Sequence, residues 1–133
     1  MILRMQKCFV LSCAVLGVLC VLTLNSGKTN AQNLGQTLIR SLDLYVSSKC
    51  ENGAAVFQVR NVGASKINAV NFKLFKVAQN MVVSKRRMSL SQGQTATFKV
   101  KNANAIPDQI GMFIESKDVA RDHQVDVAIQ CST

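Results

Sequence analysis

The fold is decided by residues 42–60, which read LDLYVSSKCENGAAVFQVR. Before the Asn-Gly pair, apolar side chains occupy every second position at Leu42, Leu44 and Val46, and the same alternation returns after it. A period of two is typical of a strand with one buried face, because successive side chains point to opposite sides of a sheet. Asn and Gly favour a tight turn. The stretch therefore predicts two antiparallel strands packed on one side.

The same pattern continues along the chain in both directions. Alternation recurs around Phe98 and again before Ile129, and three less regular apolar runs lie between, at residues 70–77, 81–90 and 110–116. Turn-forming residues separate these runs. About seven short strands in roughly 100 residues predict an all-β fold, an antiparallel β-sandwich.

The first residues have the pattern of an export signal. Arg4 and Lys7 precede an uncharged run from Cys8 to Leu24, and small residues lead to Ala31 before Gln32. A basic start, an apolar middle and a small-residue exit are what a secretion signal needs. An uncleaved anchor stays open as the alternative, with the two bases on the cytoplasmic side.

The chain is accordingly expected to divide into a signal at residues 1–31, a flexible leader at 32–38 and one domain at 39–133. About 100 residues after the signal are enough for one domain and not for two. Export places this domain in the periplasm or outside the cell. An uncleaved signal would instead leave it anchored to the membrane and facing outward.

Export leaves Cys50 and Cys131 as the cysteines of the mature chain. Two cysteines in an exported domain predict a disulfide, which on the chain-entropy model adds roughly 4 kcal/mol. Cys50 shares the parity of Leu44, and Cys131 shares that of Ile129. Both sulfurs are therefore expected on the core side of the first and last strands, lying side by side, unless a bulge near residues 47–49 breaks the register.

The charge of the mature chain is unusual. Three of the 16 basic residues lie in the signal, which leaves 13 against seven acidic ones, and residues 52–107 hold nine bases and no acid. The candidate binding face consists of Arg60, Lys73, Lys85, Arg86, Arg87, Lys99 and Lys101. A field of one sign attracts opposite charge, so this face predicts binding to anionic envelope material or to an acidic protein partner. Solubility alone is the alternative explanation.

Catalytic and metal chemistry find little support in the sequence. His123 is the single histidine and lies in a polar Arg-Asp-His-Gln turn, so we predict no catalytic residue and no cofactor. A blue-copper site needs two histidines, and Asp118, Asp122 and Asp126 lack the pattern of a calcium loop. We expect a solvated acidic turn and no metal site. One Tyr and no Trp also argue against nucleic acid as a partner.

Three segments taken in order resemble a known family. They are residues 56–63 (VFQVRNVG), 69–75 (AVNFKLF) and 90–98 (LSQGQTATF). This order is similar to that of the CARDB-type bacterial domains, which are immunoglobulin-like and adhesion-related, and the resemblance covers residues 54–101. It implies an immunoglobulin-like sandwich on the cell surface or in the periplasm. Such domains are usually accessory modules of longer chains, so the resemblance informs the fold more than the function.

We therefore expect an exported, non-enzymatic binding module. A small periplasmic enzyme built on His123 or Cys131 stays open as a weaker alternative. A structural subunit or assembly factor of a larger envelope complex is the other alternative, and it rests on parity: two apolar residues near the end of the 70–77 run face opposite to the residues before them. Either a second apolar face or a bulge explains this. The candidate patch consists of Phe75, Val77, Met81 and Val82.

Overall fold

The computed structural model describes residues 35–132, and the predicted signal at residues 1–31 lies outside this range. Within it, two four-stranded antiparallel sheets pack face to face, so the predicted all-β sandwich is confirmed. The described range contains eight strands where the sequence predicts about seven. No helix in this range is long and apolar enough to cross a membrane.

The first sheet is made of Gln36–Ile39 (β1), Leu44–Glu51 (β2), Ala54–Asn61 (β3) and Thr95–Val100 (β6), in the order β1-β2-β3-β6. The second is made of Ile67–Lys76 (β4), Met81–Leu90 (β5), Ile110–Glu115 (β7) and Val127–Ile129 (β8), in the order β5-β4-β7-β8. Short 3₁₀ turns follow β1 and β6, at Arg40–Leu42 and Ala103–Ala105. When β1 is left out, the chain forms β2 and β3 in the first sheet, β4 and β5 in the second, β6 in the first, and β7 and β8 in the second. This connectivity is that of immunoglobulin-like sandwiches.

The additional strand, β1, begins inside the predicted leader. It pairs antiparallel with the first half of β2, its last residue Ile39 is buried, and the Gly35 carbonyl accepts a hydrogen bond from the Ser48 N–H at 2.8 Å. The prediction of a flexible leader is therefore corrected for residues 36–38. Four residues are too few to show the alternation by which a strand is recognised.

The Asn-Gly pair makes the turn between β2 and β3. Glu51 lies opposite Ala54, so the loop consists of Asn52 and Gly53, whose φ angles are 51° and 73°. Positive φ at both positions is the type I′ geometry, whose twist matches that of the flanking strands. The register between β2 and β3 is unbroken, and no bulge disturbs the parity of Cys50.

The core lies between the two sheets and is filled by their inward-facing side chains. Phe57 and Phe98 come from the first sheet, and Phe72 of the second packs with its ring centroid 5.0 Å from that of Phe98. Burying a large apolar side chain stabilises a fold by about 1.5–3 kcal/mol. Other buried residues of the cluster are Leu44, Val46, Val59, Leu74, Met112 and Ile114.

Cys50 and Cys131 form the predicted disulfide, with their Cα atoms 5.6 Å apart. Cys131 is buried and Cys50 packs against the core, as their parity predicts. The first and last strands are neighbours, as expected, but they do not pair, because β2 belongs to the first sheet and β8 to the second. Parity gives the face that a side chain occupies but not the sheet, and the bond joins the two sheets.

Phe75 keeps its outward parity. The pairing of β4 with β7 is continuous over Asn71–Lys76, whereas the pairing of β4 with β5 shifts between Leu74 and Phe75, where Val83 is the extra residue. The bulge therefore lies on β5 and leaves the parity of β4 unchanged. Of the two explanations that the sequence leaves open, the structure favours a second apolar face.

Candidate functional site

The structure divides the predicted basic face between the two outer surfaces of the sandwich. Arg60 and Lys99 lie on the outer face of the first sheet, whereas Lys73 lies on the outer face of the second. Lys101 follows β6 in an exposed turn. Because packed sheets turn their outer faces in opposite directions, the seven residues do not form one flat surface.

Five of the seven lie instead on or beside two edge strands. β5 is one of the two edge strands of the second sheet, and β6 is one of the two edge strands of the first. We call the following five residues the basic edge: Lys85, Arg86 and Arg87 on β5, Lys99 on β6, and Lys101 directly after it.

A cleft of about 190 Å³ lies where β5 and β6 meet. Arg86 and Lys99 line it together, and the hydroxyl-bearing Thr97 is a further lining residue. Arg86 lies opposite Phe72 and thus on the core side of β5, yet it is exposed. Because no strand lies beyond β5, its long side chain leaves the core at the open edge. The cleft therefore holds one cation from each sheet.

Lys73 is a predicted site residue whose charge is already compensated. Its ammonium lies 3.0 Å from a carboxylate oxygen of Glu115, and the Asn71 amide donates a hydrogen bond to the other oxygen at 3.1 Å. The hydrogen bond from Lys73, then that from Asn71, and the nearby positive charges hold the pKa of Glu115 below its usual value. Lys73 is therefore less available to a ligand than the basic edge.

The basic edge forms no ion pair within the described range. The ion pairs among residues 35–132 are Lys49 with Glu51, Lys73 with Glu115 and Arg121 with Asp126. None of them involves the basic edge. Lys85 also lies directly opposite Lys73, whose charge Glu115 compensates.

A second candidate site is an apolar groove of about 450 Å³ on the outer face of the second sheet. It adjoins the start of β5, where Met81, Val82 and Val83 are 45%, 56% and 38% exposed. The groove contains three residues of the predicted apolar patch and leaves Met81 beside it. Its lining consists of Phe75, Val77, Val82, Phe113, Val125, His123, Lys73 and Asn80.

Phe113 is one of two phenylalanines that line this groove, and polar groups lie near its ring. The Arg121 guanidinium lies 5.6 Å from the centroid of its ring, and the Lys73 ammonium lies 6.0 Å from it. The His123 ring packs at 5.6 Å between centroids. A cation near the face of an aromatic ring is attracted by the ring. The groove therefore combines an apolar surface with two nearby cations, each of which is paired with a carboxylate.

Asp126 departs from the expected solvated acidic turn. Its side chain is 5% exposed and pairs with Arg121, and it accepts a hydrogen bond from the Ile114 N–H at 2.7 Å. The expectation is wrong at this residue, because residue spacing does not reveal which backbone group a side chain meets. In the part of the chain that the structure describes, no group of three or more His, Cys, Asp or Glu residues could hold a metal ion.

Sequence reasoning missed Phe113, Val125 and His123 as residues of the groove. Phe113 lies in an apolar run in which no polar residue marks the outer face, and Val125 shares its parity with the core residues after it. His123 is exposed, as a residue of a polar turn is expected to be. The outward parity of Phe75 was the one available signal, and it did not identify the residues across the sheet.

No family model, no curated protein and no solved structure matches this chain. The resemblance to CARDB-type domains accordingly stays a prediction. The features of the described residues that bear on function are the geometry and charge of the basic edge and of the groove.

Proposed function

We propose that this chain is an exported binding module that holds anionic ligands at its basic edge. The observation that carries the proposal is the cleft between β5 and β6, which Arg86 and Lys99 line from different sheets. Neither cation has an ion-pair partner among residues 35–132. Two cations held by separate strands can fix a carboxylate or phosphate group through charge-assisted hydrogen bonds.

The ligand is anionic envelope material or an acidic protein partner. Lys85, Arg87 and Lys101 extend the positive field on both sides of the cleft, and such a field steers anions toward the protein. Binding of this kind needs no cofactor and no catalytic group. The resemblance to CARDB-type domains supports the same role, that of an accessory module outside the cytoplasm.

Retention on anionic material tests this proposal. The full chain is produced in an exporting host, and the recovered protein is passed over immobilised polyglutamate and over envelope fractions in a salt series. The variant Arg86→Glu/Lys99→Glu is compared with Arg40→Glu/Lys117→Glu, which changes the net charge equally at exposed residues outside β5 and β6. We expect retention to fall with salt, to be lost in the first variant and to be largely kept in the second.

Two results would contradict a role for the cleft. Equal loss of retention in both variants would assign the effect to net charge and not to the cleft. A wild-type protein that is not retained even at low salt would leave the basic edge with no binding role beyond solubility. Circular dichroism of both variants checks that neither substitution pair unfolds the sandwich.

Export is tested on the same preparations by mass spectrometry. Cleavage of the signal predicts a protein that begins at Gln32 and is recovered outside the cytoplasm. A full-length mass in the membrane fraction would instead support the anchored alternative. Full-length protein in the cytoplasm would contradict export in either form.

Assembly into a larger envelope complex is the second candidate function, and the apolar groove favours it. Exposed apolar surface around Val82 and the outward-facing Phe75 would be covered in a complex. Native mass measurement of the protein in envelope extracts discriminates between the two roles. A strict monomer with no retained partner would contradict assembly, whereas a stable complex that dissociates in Val82→Asp would support it.

A further inference from the structure

The β5 strand is a long unpaired edge. It has ten residues and pairs with β4 alone, since it stands first in the order of the second sheet. Along the free side of an edge strand, backbone N–H and C=O groups point away from the sheet and can pair with another chain. Of the ten residues, only Leu90 is buried, so the free side of this strand is accessible.

The residues of β5 specify what could pair with it. Its first residues are apolar and exposed, from Met81 to Val83, and its middle carries Lys85, Arg86 and Arg87. Val82 and Lys85 lie opposite Phe75 and Lys73, on the outer face of the sheet. An added strand would place alternate side chains beside them. Its acidic residues would meet the cations, and its apolar residues would lie next to the groove.

A second copy of this chain is a poor occupant of the edge. The midpoint of the ten-residue strand falls between Lys85 and Arg86. Two β5 strands that pair antiparallel over their full length would therefore bring the two cationic triplets face to face. Like charges directly opposite each other destabilise a strand pair, and Lys85 of each copy would lie opposite Arg86 of the other at the centre, with Arg87 one position away. The charge of β5 therefore disfavours pairing with a second β5 strand and favours pairing with an acidic strand.

We infer that an extended acidic segment of a partner protein adds to β5 as a fifth strand of the second sheet. Every pairing in that sheet is antiparallel, and the added strand is antiparallel as well. Its acidic residues come first and lie beside Lys85, Arg86 and Arg87, and its apolar residues follow and lie beside Val82. The inference rests on the proposed function and narrows its ligand to a protein strand.

Edge protection is the competing explanation of the same residues. Charged side chains and bulges keep edge strands from pairing with other chains, and β5 carries both, the cationic triplet and the bulge at Val83. Protection predicts that the edge binds no strand at all. Strand addition predicts that the charges choose the partner, with main-chain hydrogen bonds supplying the affinity.

Backbone methylation of a peptide separates the two explanations. The parent peptide matches β5 in length and alternates Glu with Thr in its first half and Val with Thr in its second. Two isomers carry N-methyl groups on alternate amides, one on the odd and one on the even positions. Side chains and charge are the same in all three peptides. Binding to the exported protein is measured by fluorescence anisotropy, with polyglutamate as the polymer probe.

Strand addition predicts that one isomer binds about as well as the parent and the other at least about tenfold more weakly. Only one set of amides faces β5, and losing several hydrogen bonds has a cost of that order. A peptide with the two halves exchanged should also bind more weakly than the parent, because an antiparallel strand then places its apolar half beside the cations. Equal binding of the exchanged peptide would overturn the stated orientation.

The remaining outcomes distinguish this inference from the function on which it rests. Equal binding of both methylated isomers would overturn strand addition and leave binding by charge in place. Salt-sensitive binding of polyglutamate without binding of any peptide would also overturn it and would identify a polymeric ligand. Binding of no probe would overturn both the inference and the proposed basic binding site.

Discussion

At the scale of single residues, Asn61 is the buried polar side chain that ties the loop after β3 to the end of β5. It is 0% exposed. Its amide nitrogen donates to the carbonyls of Ser65 at 2.7 Å and Leu90 at 3.0 Å, and its amide oxygen accepts from the Gly63 N–H at 2.9 Å. Both amide hydrogens and the amide oxygen thus have partners. Because one partner is the Leu90 carbonyl, this residue fixes where β5 ends relative to β3.

The variant Asn61→Ala should therefore lose about 1–3 kcal/mol of unfolding free energy, because it leaves buried backbone groups without partners. Urea denaturation monitored by circular dichroism measures the loss. Asn68→Ala is the matched control at an exposed position and should stay within about 0.5 kcal/mol of wild type. Equal effects of the two substitutions would contradict the structural role of Asn61.

Glu115 should make stability depend on pH in the acid range. The hydrogen bond from Lys73, followed by that from Asn71, lowers its pKa in the folded protein. A carboxyl group of this kind stabilises the fold fully above its unfolded pKa, and the contribution is lost as pH falls through the lower folded pKa. We expect wild type to be more stable than Glu115→Gln at neutral pH and the difference to vanish in acid.

Urea midpoints of wild type and Glu115→Gln across an acidic pH series check this expectation. The side chain of Glu115 is partly open to solvent, so the effect is expected to be small and to shrink with added salt. A difference that stays constant with pH would show that the carboxylate charge does not account for it.

At the scale of elements, two glycines with positive φ allow the effect of backbone strain to be compared with the effect of a clash between an added Cβ and its neighbours. Gly53 has φ of 73° in the β2–β3 turn, and Gly93 has φ of 72° in the turn before β6. A Cβ at Gly93 would meet nothing within 4 Å, whereas one at Gly53 would lie 3.0 Å from the Asn104 side chain. Both positions are in the left-handed region, which strains any residue with a Cβ.

We expect Gly93→Ala to lower the unfolding free energy by about 1 kcal/mol, the strain of the left-handed backbone. Gly53→Ala should lower it by more, because Asn104 must also move. Thermal denaturation of the two variants gives the comparison. A smaller loss for Gly53→Ala than for Gly93→Ala would show that the contact with Asn104 does not constrain the turn.

The elements also show which parts of the fold can be predicted from sequence. Strands with clean alternation, such as β3, and the Asn52-Gly53 turn are local patterns, and the structure has them where they were predicted. The short β1 and the bulge at Val83 are set by partners that lie far away in sequence. Local patterns do not indicate those partners, and both features are determined by tertiary pairing.

For the candidate site, the sequence predicted which charged residues it contains but not how they are arranged. The charge imbalance indicated Arg86 and Lys99 as candidate site residues, but parity could not show that both line one cleft between the two sheets. For the same reason, parity could not show that Arg60 and Lys73 lie on the outer faces of different sheets. Which residues share a surface depends on the order of strands in each sheet and on which edges coincide, and neither is written in the spacing of residues.

At the scale of the whole molecule, the disulfide joins two layers that side-chain packing and the hydrogen bond from Asn61 to Leu90 also hold together. Cys50 belongs to β2 of the first sheet, and Cys131 follows β8 of the second, 81 positions later. A bond that closes so long a loop restricts the unfolded chain strongly. It also holds the end of the described chain against the core, where Cys131 is buried.

The double variant Cys50→Ala/Cys131→Ala should therefore lose roughly 4 kcal/mol of unfolding free energy, as the chain-entropy model gives for a loop of this size. Urea denaturation of oxidised wild type, reduced wild type and the double variant measures it. Reduction should lower the wild-type midpoint toward that of the double variant and should leave the double variant unchanged. If reduction had no effect on wild type while the double variant was destabilised, the loss would come from repacking around residue 131 and not from an opened loop.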